Sequence, residues 1–420
     1  MITPAYALTA TERVLPRLAL DFTSGVLDSR VTITRALNTA TRVNSSGYIE
    51  IINANLPRFD YSPVTFAPLG LLIEETRTNI LLRSEEFNLA SWTKIRSSVT
   101  PDAILSPAGI VNADKLIEDT TATSSHFMLQ IPAASASTTY TYSVYLQAAE
   151  RNRAMLEDGG GSNAQAYFDL LNGTVISTSA GATATIRNAG NGFYRCAMTF
   201  TTAVGQTGIN ARIYLINTGT NISYTGDGTS GIYIYGAQIE AGAFATSYIP
   251  TTTTSLTRNG DQASMTGANF TSWFIAGPGT LYTQASQPVI YAGSRSAASL
   301  CTSANNPRIS NYRQSAGGIN GYAINSAGVG NAGGSGVVAT SNSRQSTITS
   351  YTATNSQIVS ANASAIATIA IDMSTSLSAF TGLAIGNDFL GANTQFCGHI
   401  QKVMWWPLKM TNAEAQAFSK

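Results

Sequence analysis

Charge is what this 420-residue chain has least of. Charged residues make up 11% of it, where an average soluble protein carries about 25%. The formal net charge is +1, so the basic surface that nucleic acid or anionic lipid demands has no source, and neither partner is expected. Histidine is scarcer still, with only His126 and His399. A Ser-His-Asp or Cys-His nucleophile would have to use one of them, and no GxSxG elbow precedes a helix pattern. Histidine-based zinc sites are equally poorly supplied. The three cysteines, Cys196, Cys301 and Cys397, are far apart in the chain. An odd count permits at most one internal bridge, and none has CxxC spacing, so they read as reduced apolar fillers. No run of about 18 apolar residues exists, so no membrane insertion by a spanning helix is expected. The N-terminus, Met1-Ile-Thr-Pro-Ala-Tyr6, lacks a basic stretch followed by an apolar core and does not read as a secretory signal. Nor is there a P-loop or a GxGxxG opening a helix; Gly159-Gly-Gly-Ser162 is a plain loop.

What fills the chain instead is Ser, Thr, Gly and Asn, interleaved with β-branched and aromatic residues. Thr suits strands, while Ser, Gly and Asn suit turns. The fold class is therefore all-β, and 420 residues hold two or three domains. In residues 1–80, Leu18–Phe22, Val31–Arg35 and Tyr48–Ile52 alternate as strands. The turn Asn44-Ser-Ser-Gly47 returns Arg42-Val43 onto the third of them. Pro57, Pro63 and Pro68 forbid a continuous helix or central strand, after which Leu69–Ile73 reads as a short buried strand. This segment is thin in apolar residues and is expected to pack on something else.

Residues 81–249 read as one β-sandwich. In Tyr140–Leu146, the side chains of Tyr140, Tyr142, Val144 and Leu146 share one face, opposite Thr141, Ser143 and Tyr145. Ala166–Leu170 and Thr174–Ser177 flank Asn172-Gly173, a pair that favours a type I′ hairpin turn. Strands over Phe127–Ile131, Gly192–Phe200, Ala211–Ile216 and Gly231–Ile239 follow, the spacing of a jelly roll. Residues 250–262, with Pro250 and a run of Thr, form an extended linker. Residues 263–420 read as a second jelly-roll sandwich. Its strands include Trp273–Ile275, Gly279–Gln284, Ile366–Ile371 and Leu383–Ile385, with tightly bent strands across 315–337. Gly398–Trp406 is a strand stopped by Pro407. Trp405 and Trp406 point to opposite faces, one toward the core and the other either exposed or covered by a short helix from Asn412 to about Ser419, opened by a Thr411/Glu414 capping box.

Leu56-Pro-Arg-Phe-Asp-Tyr-Ser-Pro-Val-Thr-Phe-Ala-Pro-Leu-Gly-Leu-Leu-Ile-Glu-Glu-Thr-Arg-Thr-Asn79 resembles a segment that recurs in tailed-bacteriophage fibre and spike proteins. There it lies between a virion-proximal region and a carbohydrate-binding-module-like sandwich. Residues 80–250 are similar to that sandwich: Thr78–Leu82, Ser84–Phe87 and Ser91-Trp92-Thr93 look like its opening. Gly192–Arg195 and Gly236–Gly242 running into Tyr248–Thr251 look like its end. The C-terminal strand and capped helix resemble concanavalin A-like and laminin-G-like jelly rolls. The resemblance implies a virion protein of head or tail, made in the host cytoplasm and released by lysis. It implies attachment to other phage virion proteins through residues 1–80, homotrimerisation, and binding of a host-surface glycan. No heptad repeat adds to the trimer expectation.

Sugar binding needs aromatic platforms beside a few hydrogen-bonding groups. In the first sandwich the candidates are Trp92, Tyr167, Tyr194, Tyr233 and Tyr235, with Tyr145 and Tyr214 behind them; each can equally be a packing ring. Loop oxygens at Asn221, Asp227 and Ser230 can hold calcium, but an Asp-Gly turn accounts for the same residues, and no cofactor is expected. Glycoside hydrolysis needs two carboxylates across a cleft. Glu85-Glu86 and Glu157-Asp158 are adjacent and point apart on a strand, which leaves Glu240 unpaired, so no enzyme is expected. The rival readings are a structural capsid or tail decoration without a sugar site, and a polysaccharide depolymerase.

Overall fold

The computed structural model describes residues 6–419 apart from 10–11, 38, 289–292, 305, 314–317, 339–340, 361–366 and 392–393. It is all-β, with short helices at Ala268–Thr271 and Asn412–Phe418. Two sandwiches account for most strands, and they differ in how the chain builds them.

One sandwich comes from a single stretch. Its first sheet runs in the order Thr93–Ile95, Phe127–Gln130, Ala211–Ile216, Arg153–Asp158, Gln165–Asp169, Thr174–Thr178. Its second runs Ser97–Leu105, Val111–Glu118, Gly231–Ala241, Thr139–Ala148, Tyr194–Thr201, Thr183–Asn188. Tyr140, Tyr142, Val144 and Leu146 all lie in the core between the sheets, as their alternation requires. The opposite side chains Thr141, Ser143 and Tyr145 are buried too, because Tyr248 and the ribbon pairing Ala40–Val43 with Ile49–Ile52 lie over that face. The turn Asn44–Gly47 returns the chain so that Arg42 opposes Glu50.

The other sandwich is composite. One sheet runs Gly330–Val338, Gly318–Ile324, Arg308–Arg313, Arg295–Cys301, Gly382–Ile385, Gln262–Thr266 and, from the start of the chain, Thr32–Thr34. The facing sheet runs Ala367–Ala370, Asn355–Ser360, Gln345–Tyr351, Gly279–Ser286, Gly398–Trp406, Pro68–Ile73, Phe59–Tyr61. Gly398–Trp406 is long enough to take two early strands on one edge. Ile73, Leu72 and Leu71 pair with Gly398, His399 and Ile400, while Leu18 pairs with Trp405 and Asp21 with Lys402. Strand pairing thus crosses the expected division between 1–80 and 263–420. Leu18, Leu20, Phe22, Val31, Ile33, Phe59, Leu71 and Ile73 share one core with Leu281, Leu300 and Trp405. At about 1.5–3 kcal/mol per fully buried side chain, this shared core is what a segment thin in apolar residues needs. Gly70, with φ of +110°, lets the early strand close in; a Cβ there would lie 2.5 Å from the Ile400 carbonyl oxygen.

The first sandwich is inserted between the halves of the second. At the base of the insertion Arg77–Asn79 pairs with Leu256–Arg258, Asn79 opposite Leu256. The stretch 250–262 is therefore not a free linker: it contributes a strand, and Arg258 and Asp261 are buried. They belong to a closed ionic cluster. Arg58 bridges Glu74 at 2.7 Å and also contacts Asp261. Arg35 reaches Asp261 at 2.8 Å, and Arg258 reaches Glu74 at 3.1 Å. Residues from before and after the insertion thus pair three arginines with two carboxylates in a buried joint.

Three local features differ from expectation or refine it. The Asn172-Gly173 turn spans four residues, Asp169 pairing with Thr174. The Asp169 carboxylate closes it by accepting from the amides of Leu171 and Asn172, each at 3.0 Å. Trp273 is not in a strand; it follows the helical turn Ala268–Thr271, where Phe270 stacks on Phe274 and Trp273 packs against Trp405. At the C-terminus the Thr411/Glu414 capping box forms. Trp405 enters the composite core, while Trp406 lies under Phe418 of the last helix at 5.0 Å.

Candidate functional site

The aromatics singled out in the inserted sandwich are not brought together. Trp92 is 1% exposed, packs on Phe87 and donates its indole N–H to the Arg83 carbonyl at 3.0 Å. Tyr235 is 2% exposed, and its hydroxyl is given to Glu85. Neither offers a face to a sugar, so both leave the candidate set as packing residues. Tyr167 is half-buried beside Phe127, Met155 and Tyr214 on the outside of one sheet. Tyr233 is half-buried on the outside of the other, against the Tyr145–Tyr235–Tyr248 group. Tyr194 packs along the core, its ring so close to Gly173 that a Cβ there would clash. These three remain isolated rings.

The groups that do converge lie on the composite sandwich. In Arg308-Ile-Ser-Asn-Tyr-Arg313 the strand period separates the faces. Ile309 enters the core, and Asn311 reaches inward to the carbonyls of Leu281 and Thr347 on the opposite sheet. Arg308, Ser310 and Tyr312 therefore lie on the face away from that core, where Arg308 is half-buried, Tyr312 9% exposed and Ser310 covered. Ser310 opposes Tyr322 on one neighbouring strand and Ser299 on the other, with the Ser299 and Ser310 hydroxyls 2.7 Å apart. The Arg308 guanidinium sits 4.9 Å from the Tyr322 ring centre, and the Tyr312 and Tyr322 rings meet edge-on at 5.9 Å. Asp388 closes one side, one carboxylate oxygen accepting from the Ser296 amide at 3.1 Å and hydroxyl at 2.6 Å. The groove so lined, with Ser294 at its rim, holds about 250 Å³.

Its chemistry is mixed in the way a sugar ring is mixed. Arginine offers only donors, a carboxylate only acceptors, and serine and tyrosine hydroxyls either. Vicinal hydroxyls can be matched from both sides, and the tyrosine faces suit the C–H surface of a pyranose. The sequence signal for it was the Arg308/Ser310/Tyr312 alternation opposite Ile309, which carries no family motif.

The remaining chemistry-bearing groups are engaged in structure. His126 is buried, Nδ1 2.8 Å from the Arg96 carbonyl. His399 Nε2 is 2.8 Å from the Asp60 carboxylate. The three cysteines are buried and in no disulfide, and burial pushes the Cys301 and Cys397 thiols up to about 12. Asp227 closes its own turn, accepting from the amides of Thr229 and Ser230 at 2.8 and 2.7 Å, and Asn221 does the same for Ser223. Among the described residues no group of three or more His, Cys, Asp or Glu can hold a metal ion. Among them, too, no helix is long and apolar enough to cross a membrane.

No protein-family model matches the chain, and no curated protein matches it. Among solved structures it is similar to the CBM40 carbohydrate-binding module of the Ruminococcus gnavus IT-sialidase. The identity is 12%, covering 34% of this chain and 84% of that one, with a TM-score of 0.30. It is similar to the heptameric SAP-like pentraxin of Limulus polyphemus at 13% identity, over 34% of this chain and 70% of that one, TM-score 0.27. For domains LG4-5 of the mouse laminin alpha1 chain the identity is 8%, over 68% and 86%, TM-score 0.23. Likenesses at this level carry no argument about what this chain binds.

Proposed function

We propose that the protein is a non-catalytic glycan-binding protein of a bacteriophage particle, a fibre or spike component, and that the groove of the composite sandwich is its sugar site. The observation that supports the sugar site is the convergence of Arg308 and Asp388 on the paired rings of Tyr312 and Tyr322. A groove of about 250 Å³ is small beside drug-sized pockets of roughly 300–1,000 Å³, so each copy grips one or two sugar units weakly. Repetition on a particle raises avidity through effective concentration. The resemblance of residues 56–79 to phage fibre segments supports the particle assignment, with assembly as a homotrimer and attachment to other virion proteins.

The test is a saccharide array probed with the purified chain, followed by titration of any hit. Saturable binding that falls about tenfold or more in Tyr322→Ala and in Asp388→Asn, with unchanged thermal midpoints, supports the reading; loss of one hydrogen bond to a charged group is worth that much. Binding that both substitutions leave intact, or no binding to any saccharide, overturns it. Absence of the protein from purified particles of its own phage overturns the particle assignment separately.

A further inference from the structure

Arg187 and Arg195 occupy directly opposed positions on Thr183–Asn188 and Tyr194–Thr201. Like charges set opposite one another destabilise a sheet, so an anion beside Arg195 would relieve this rung. Arg195 has none from the protein: its Nη1 donates to the Thr246 carbonyl at 2.6 Å and its Nη2 to the Ser143 hydroxyl at 3.1 Å. Its guanidinium lies over the Tyr145 ring at 5.3 Å. Its Nε is buried without a hydrogen-bond partner, and among the described residues no carboxylate pairs with it. Arg187 leans across to the composite sandwich, giving Nη2 to the Pro288 carbonyl at 2.9 Å. The two arginines and Ala245 form the shared wall of two adjoining cavities of about 170 Å³ each. One lies in the cleft between the sandwiches, and the other runs along a hydroxyl-rich face, where Thr183 and Thr185 are exposed.

The cleft also holds Asp60 and Glu74, but neither is available to Arg195. Asp60 accepts from His399 Nε2 at 2.8 Å and the Val43 amide at 2.7 Å. Glu74 is taken by Arg58, Arg258 and Ser247. We propose that the Arg187–Arg195 rung is a second binding site, separate from the composite groove, for a sugar acid. The carboxylate would accept from Arg195 Nε and from Arg187, and the sugar hydroxyls would meet the threonine face. Charge-assisted donors of this kind are the strong ones, and threonine hydroxyls distinguish a saccharide body from an apolar acid.

The test uses the full chain labelled with ¹⁵N, reading the arginine Nε–H resonances while titrating digalacturonate, its methyl ester and sodium acetate. Digalacturonate should shift the Arg195 Nε–H saturably, with affinity falling as salt is raised from about 50 to about 300 mM, and the ester should leave it unmoved. Arg195→Gln, and the exposed Arg187→Gln as a variant with little folding risk, should each weaken the acid about tenfold. Arg308→Ala should not weaken it, which separates this site from the composite groove. An ester that binds as well as the acid overturns the proposal. So does an acetate response equal to that of digalacturonate, which marks an adventitious anion only. An unmoved Arg195 resonance, or loss of binding in Arg308→Ala alone, overturns it as well.

Discussion

Asp261→Asn tests whether the ionic joint is what ties together the chain segments before and after the inserted sandwich. The carboxylate accepts from Arg35 Nη1 at 2.8 Å, from Arg58 Nε at 3.3 Å, from the Glu74 amide at 2.9 Å, and from Arg58 Nη2. Arg35 is 1% exposed and Arg58 0%, so water cannot replace what is removed. The substitution keeps size and one acceptor, removes the charge, and turns the other oxygen into an NH2 donor facing groups that themselves donate. Arg58 retains Glu74, but Arg35 loses its sole carboxylate among the described residues. Removing one partner of a buried pair costs about 3–5 kcal/mol, and that loss is expected in urea unfolding followed by tryptophan fluorescence. Arg35→Met on the same background should recover part of it, because the stranded cation is then gone. The joint also sets an acid limit. Burial opposes ionisation of Glu74, but Arg258 and Arg58 outweigh it, with help from Ser247, and hold the carboxyl well below its ordinary 4.5. A depressed carboxyl stabilises above its unfolded value and loses that contribution as pH falls through the folded one. Stability should therefore decline below about pH 4.5, and Glu74→Gln should flatten that limb. A cost under about 1 kcal/mol for Asp261→Asn would refute the reasoning, since it would mean the cluster is solvated or relaxes freely.

Replacing residues 80–255 by Asn-Gly should leave a folded composite sandwich, because Asn79 and Leu256 already face each other as hairpin partners and a two-residue turn closes such a pair. The check is a cooperative thermal transition and retained sugar binding in the groove; a shortened chain without a cooperative transition would show that the insertion is needed for the fold. Trp92→Ala should cost about 3–5 kcal/mol as a buried aromatic truncation while leaving saccharide affinity of the folded protein unchanged. Affinity that fell with intact folding would return Trp92 to the binding site.

Local pattern made much of this fold legible, and its limits are physical. Alternation in Tyr140–Leu146 gave the core face directly, because period-two side chains cannot change faces without a register slip. Asn44–Gly47 and Thr411/Glu414 were readable because a turn and a cap are made within four residues. The partner of a strand is a different matter. Nothing within Leu18–Asp21 indicates that its neighbour is Gly398–Trp406; the choice rests on contacts across nearly the whole chain. Trp273 fails for a related reason. Trp-Phe-Ile has strand propensity, but Gly267 at φ +57° opens a helical turn and stacking of Phe270 on Phe274 secures it, so tertiary packing overrides propensity.

Counting aromatics does not separate a binding ring from a packing one, because a ring satisfies a core as well as a ligand. Trp92 and Tyr235 have partners for their polar atoms and no exposed face, a distinction no sequence spacing encodes. Scarce charge is the better guide in a chain that is 11% charged. Neutral hydroxyls already serve the surface, so a charge placed in a strand must answer to something nearby. Arg35, Arg58, Glu74, Arg258 and Asp261 answer to one another at the joint. Arg308 and Asp388 both line the groove, and Arg187 stands opposite Arg195 on the neighbouring strand. Other charges pair locally on the inserted sandwich, as Arg151 does with Glu118 and Arg212 with Glu157.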